Sequence, residues 1–292
     1  MTPASARVER VAVIGDIGGQ ATAFRQTLHA LGAEPATQAL PPGLGVIQVG
    51  DLVRAGAGPG LDNDDCVHLA THALQANPGR WTQLFGNHDL ALIGGPTKPD
   101  WPGPPAASPD TVERLQQWWT ERTGLLAAAL TCREHGQVLI THAGLTRTRW
   151  NHLGRPHDAA DTAALINQDL DHPVQDVIIG GALTDTRAAS PPGPDVAWAA
   201  VNTELYQPWL NHGDMPYTQI HGHAAPLNWT TGTWWPDTTP AIRAATTTDP
   251  TTRRTTTRLT DDGHLAISVD PNLGNHPTHH WPPLTLTLTN ED

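Results

Sequence analysis

Aspartate, asparagine and histidine recur in this chain at one kind of place, directly after a short apolar run. The runs read VAVIGD, ending at Asp16; GVIQVGD, ending at Asp51; WTQLFGNHD, carrying Asn87, His88 and Asp89; QVLITHAG, carrying His142; and YTQIHGH, carrying His221 and His223. Glycine accompanies the donor in each run and lets the backbone turn sharply where a strand ends. Taken singly, a Gly-Asp is a turn and a lone histidine is a packing residue. Together, oxygen and imidazole donors without thiolate form a ligand set for one or two divalent cations, such as manganese, iron or zinc.

Elements of a particular kind must position such a set. In α/β sheets, ligands gather beyond the carboxyl ends of the strands. Apolar runs predict strands at Val11–Ile14, Gly45–Val49, Trp81–Phe85, Val138–Ile140, Val177–Ile179, Thr218–Ile220, Leu265–Val269 and Leu284–Leu288. Amphipathic stretches predict helices over Ala21–Leu31, Asp65–Gln75, Thr111–Arg122, Ala159–Leu170 and Trp198–Leu210, the third announced by Ser108-Pro109-Asp110. Strands separated by helices make an α/β protein. Residues 94–109, rich in Pro and Gly, and the Thr-loaded residues 230–258 read as loop excursions, the second as a polar loop or a solvated hairpin. With no internal repeat or linker, residues 7–290 are expected to form one domain.

The bulk properties narrow the function. A net charge of −12 over 292 residues argues against unspecific binding to nucleic acid or to a membrane surface. The opening MTPASARVER has no apolar core of signal-peptide length, and no run reaches membrane-spanning length. Cys66 and Cys132, in no metal-ligand spacing, read as packed thiols, and the expected compartment is a reducing cytoplasm.

On GDIGG (15–19), GDLVRAG (50–56), GNHD (86–89), THAG (141–144) and HGH (221–223), the chain resembles the calcineurin-like metallophosphoesterases, in particular their phosphoprotein-phosphatase and diadenosine-tetraphosphatase branch. The tail ISVDPNLG is similar to that family's closing strand and would place Asp270 near the site. The resemblance implies two sheets packed face to face between helices, with the site at one edge. It implies divalent-metal-dependent hydrolysis of a phosphate ester or anhydride by a metal-activated water. Asp51 matches the metal-bridging aspartate, Asn87, His142 and His223 the rest of the second cation's ligands, and Asp16 a ligand of the first. His88 matches the residue that protonates the leaving oxygen or steadies the phosphoryl group, and Asp89 beside it either orients that loop or caps a helix. Manganese is the first metal expected. The expected substrate is a phosphorylated small molecule, nucleotide or phosphoprotein.

Two departures stand out. The family's first motif carries a metal-binding histidine where this chain has Gly18, and the aspartate that partners the catalytic histidine is replaced by Arg54. His221 offers itself as a substitute ligand, because residues two apart in a strand face the same side; otherwise it packs behind the site. Arg54 would then bind substrate phosphate, with Arg147 and Arg149 either joining it or facing solvent. A cation beside His88 disfavours its protonation, which implies slow turnover or a leaving group needing little protonation. The other reading is a degenerate relative that binds metal or nucleotide without turnover. A metal-independent structural protein would leave the donor-bearing strand ends unexplained.

Overall fold

A computed structural model of the chain describes residues 7–56, 60–97, 103–176, 195–272 and 281–289. Its elements run β1 (Arg10–Ile14), α1 (Ala21–Ala30), β2 (Leu44–Gln48), α2 (Asn63–Ala76), β3 (Trp81–Leu84), α3 (Asn87–Leu92), α4 (Pro109–Thr120), β4 (Gly124–Leu125), β5 (Ala127–Cys132), β6 (Gly136–Thr141), α5 (Arg147–His152) and α6 (Ala159–Asn167). After a π-helical turn, Val201–Tyr206, come α7 (Gln207–His212), β7 (Thr218–His221), β8 (Leu227–Asn228), β9 (Thr233–Trp234) and α8 (Pro240–Ala245). The last strands are β10 (Thr246–Asp249), β11 (Arg254–Arg258), β12 (Leu265–Ser268) and β13 (Leu284–Thr287).

The first sheet has the order β13-β1-β2-β3-β4 and the second β10-β11-β12-β7-β6-β5. β1 to β4 are parallel, as are β6, β7 and β12 in the second sheet. The strands read as unbroken apolar runs because both of their faces are covered. Val11, Val13, Ile47 and Val49 meet Val138, Ile140, Ile220 and Ile267 of the facing sheet. The alternate residues Ala12, Ile14, Leu44 and Val46 pack outward with Phe24 and Leu28 of α1 and Val67 and Ala70 of α2. Two sheets thus pack face to face and helices cover their outer sides.

Local signals explain most boundaries. Ser108 caps α4 by accepting from the Thr111 N–H at 3.3 Å, with Pro109 in the first turn. Both cysteines are free and buried. Among the described residues no helix is long and apolar enough to cross a membrane.

Three elements differ from the sequence reading. β5 was not anticipated, since its run AAALTC has little strand preference; antiparallel pairing with β6 makes it a strand. Residues 230–258 are not merely a solvated excursion. They form β9, α8 and a β10–β11 hairpin that joins the edge of the second sheet, burying Thr255 and Thr257 on alternate positions. The helix expected over Trp198–Leu210 begins at Val201, because Asp195 and Trp198 close a β-bridge first. It changes from π to α at Gln207-Pro208, where proline removes a backbone donor. The strand expected at Val177–Ile179 lies outside the described residues.

Candidate metal centre

The site lies where the carboxyl ends of parallel strands from both sheets meet. Asp16 follows β1, Asp51 follows β2, and Asn87 and His88 open α3 just after β3; His142 follows β6, His223 follows β7 and Asp270 follows β12. The loops after β2 and β3 touch: a Cβ on Gly86 would collide with the Asp51 carboxylate and its main chain, so only glycine fits there. Asp51 has a φ of +52° and His223 a φ of +61°. Left-handed backbone costs a non-glycine residue roughly 1–2 kcal/mol, and such strain collects where function demands one fixed side-chain direction. Hydrogen bonds hold both residues in place. The His88 N–H donates to Asp51 Oδ1 at 2.9 Å, and the His223 N–H donates to both Asp16 oxygens, at 3.0 and 3.1 Å.

The Val49 carbonyl sets the tautomer of His142. Nδ1–H donates to it at 3.0 Å, which leaves a lone pair on Nε2. That lone pair faces Asn87 Oδ1 at 3.0 Å and Asp51 Oδ1 at 3.5 Å. His223 Nδ1 lies 2.8 Å from the same Asn87 oxygen. Ligand atoms of Asp51, His142 and His223 all fall within 4.8 Å of one another. A carboxylate, an amide oxygen and two imidazoles that converge in this way fit a divalent ion.

The charges agree. Burial, and then Asp89, holds the Asp51 carboxyl well above its ordinary range, against the His88 N–H and Arg54. Asp16 is raised by burial and then by Asp270 and Asp51. Asp270 is pushed up to about 6 by burial, opposed by the Asn272 N–H, Arg54 and Arg253. His142 is driven far down by burial and then by His223, which keeps it neutral and able to ligate. Buried acids that raise one another are relieved by a bound cation.

His88 is held differently from the metal-facing histidines. Its Nδ1 accepts the Ala55 N–H at 3.0 Å, so the ring proton sits on Nε2, 3.9 Å from Asp51 Oδ2. Burial and then Arg54 lower its pKa to about 4. Asn63 grips the main chain of Arg54, accepting its N–H at 3.0 Å and donating to its carbonyl at 3.1 Å.

Four expected site residues are occupied elsewhere. Asp89 accepts the N–H groups of Gly86 and Val53, at 3.0 and 3.2 Å, and so ties the two motif loops together as a cap. His221 turns from the cluster: Nε2 meets the Tyr206 hydroxyl and Nδ1 the Gly222 carbonyl, both at 2.9 Å. Arg147 forms a fork onto Asp214, with contacts of 2.6 to 3.2 Å. Arg149 lies between Asp169 at 2.5 Å and Asp195 at 3.5 Å. Asp195 precedes Val196, whose carbonyl accepts the N–H of Ala143 beside His142, so Arg149 anchors the segment that carries Trp198.

Other contributors were missed from sequence. The Val49 carbonyl and Asn63 carry no motif, since both act through main-chain geometry. A cavity of about 310 Å³ opens beside His223, lined by Trp198, Val201, Asn202, Trp235 and Asp237. Trp198 presents itself edge-on to the His223 ring, with centroids 5.9 Å apart. Larger cavities, about 630 and 950 Å³, follow α2 and α1 and share no residue with the cluster.

No curated protein matches the chain. The solved structure of a point mutant of a cold-active protein tyrosine phosphatase is similar in fold, at 13% identity and a TM-score of 0.51, covering 95% of this chain and 75% of that one. The cold-active protein-tyrosine phosphatase of a psychrophilic Shewanella species is similar at 14% identity and a TM-score of 0.48, over 95% of this chain and 75% of that chain. A metallophosphoesterase from Sphaerobacter thermophilus matches 47% of this chain and 48% of its own, at 16% identity and a TM-score of 0.29. The family model for calcineurin-like phosphoesterases matches residues 9–227, and the chain belongs to that family.

Proposed function

We propose that this protein hydrolyses phosphate esters or anhydrides whose leaving groups need little protonation, at a divalent-cation centre formed by Asp51, Asn87, His142 and His223. The observation that carries the reading is the convergence of oxygen and imidazole ligand atoms on the space between those residues. A bound cation would polarise phosphate oxygens and lower the pKa of a coordinated water. Manganese is the first ion to try, because the donors are oxygen and imidazole.

The chain's own residues account for the rest. With Nδ1 occupied by the Ala55 N–H, His88 presents Nε2–H as a hydrogen-bond donor to a phosphoryl or leaving-group oxygen. It is neutral at pH 7 and has no ready proton to release, which favours aryl esters and phosphoanhydrides over alkyl esters. Arg54, whose charge reaches Asp51, Asp270 and His88, would meet the anionic substrate. The cavity beside His223 would seat the leaving group against Trp198 and Trp235. Two free, buried cysteines support a reducing, cytoplasmic setting.

The test is hydrolysis of p-nitrophenyl phosphate by metal-stripped protein with and without manganese, beside Asp51→Asn and His88→Ala. The expected result is manganese-dependent turnover that falls steeply in Asp51→Asn. Absence of metal-dependent turnover on this ester, on its bis-ester and on a dinucleoside polyphosphate would favour the non-catalytic reading, to which Gly18 and Arg54 point.

A further inference from the structure

One half of the centre has its full set of donors and the other has lost one. Toward the first-cation side, Gly18 has no side chain. Asp16 is engaged by the His223 N–H through both oxygens, and a Cβ on Gly222 would collide with one of them, so the carboxylate is packed as the clamp that holds His223 in its left-handed conformation. His221, which could have replaced the lost ligand, has both ring nitrogens committed to Tyr206 and Gly222. Among the described residues, the group of acidic, His or Cys side chains able to converge on an ion is Asp51, His142 and His223, and it does not include Asp16 or Asp270.

We propose that the centre takes a single divalent cation, held by Asp51, Asn87, His142 and His223. This inference rests on the reading of the site as a cation centre given above.

Stoichiometry tests it independently of turnover. The full chain, stripped with chelator, is titrated with manganese by calorimetry, its metal content is measured after desalting, and its electron paramagnetic resonance spectrum is recorded. The expected result is one manganese per chain, with the hyperfine spectrum of an isolated ion. The variant Gly18→His is expected to bind two and to show the exchange-broadened spectrum of a coupled pair, and circular dichroism establishes that it is folded. Two ions in the unaltered protein would overturn the inference while leaving the proposed function standing. One ion in both the unaltered protein and the folded variant would overturn the reading that the missing donor is the one at position 18. No manganese in the unaltered protein would sink the cation centre itself, and this inference with it.

Discussion

The two halves of the candidate metal centre are built from the same kind of strand end, yet their side chains are held differently. On the side of Asn87, His142 and His223, side chains are aimed by main-chain carbonyls and amides at a common point, where His142 Nε2 and His223 Nδ1 lie 3.0 and 2.8 Å from Asn87 Oδ1. On the side of Asp16, the carboxylate holds a backbone amide and glycine stands at position 18. The difference teaches that a donor at a strand end becomes a ligand only when its own hydrogen bonds leave a lone pair directed into the site. His221 is the right residue type in the right loop, and its hydrogen bonds go elsewhere.

The largest effect that would test this contrast is on cation affinity. His142→Ala removes an inward-facing lone pair and is expected to weaken manganese binding by about 100-fold or more, whereas Asp16→Asn, which still accepts one N–H, is expected to cost roughly 10-fold through misplacement of His223. Calorimetric titration of both variants checks the pair, and equal losses would mean that Asp16 is a ligand and the halves are alike.

A second comparison sharpens the part played by the two arginines. Arg149→Met leaves buried Asp195 without its counter-charge and is expected to destabilise the fold by about 3–5 kcal/mol. Arg147→Met removes a pair whose acid is 35% exposed, and a loss of about 1 kcal/mol or less is expected after solvent screening. Urea unfolding followed by tryptophan fluorescence separates them. A comparable cost for both would argue that the segment carrying Trp198 does not depend on Arg149.

The smallest effect is a pH dependence of the metal-free protein. Asp270 is pushed up to about 6 from an ordinary 3.8. Between those values the folded state binds more protons than the unfolded state, so stability falls as pH rises through that window. Asp270→Asn removes this loss and is expected to unfold at higher urea than the unaltered protein at pH 7, with the advantage shrinking toward pH 4. His88, lowered to about 4 from 6.5, acts with the opposite sign, because there the unfolded state binds more protons and stability rises with pH. Added manganese should abolish the Asp270 difference at pH 7 by holding the carboxylates ionised. A difference that survives saturating metal would place Asp270 outside the centre's field.

Much of the site was legible in the chain itself, because an apolar run ending in Gly-Asp, Gly-Asn-His or Thr-His-Ala-Gly combines two local facts, a buried strand and a turn that exposes a donor. Those facts are properties of a few consecutive residues, and they sufficed for the α/β architecture and for placing Asp51, Asn87, His142 and His223 at strand ends. Strands toward the two ends of the second sheet were less legible. AAALTC and the threonine run of β11 become strands only by pairing with β6 and β12, and pairing partners distant in sequence leave no local mark.

What only the tertiary structure decided is direction and occupancy. Whether Asp89 caps or catalyses, whether His221 ligates or packs, and whether Arg147 and Arg149 meet a phosphate or an aspartate depend on groups dozens of residues away, such as the Val53 N–H, the Tyr206 hydroxyl, Asp214 and Asp195. Sequence by itself determined which residue types reach the meeting place of the two sheets, since a strand's period and a glycine's freedom are local. The packing of the two sheets against each other determined which of them still have a lone pair to offer there, because a hydrogen bond is satisfied by whatever group the fold brings within about 3 Å.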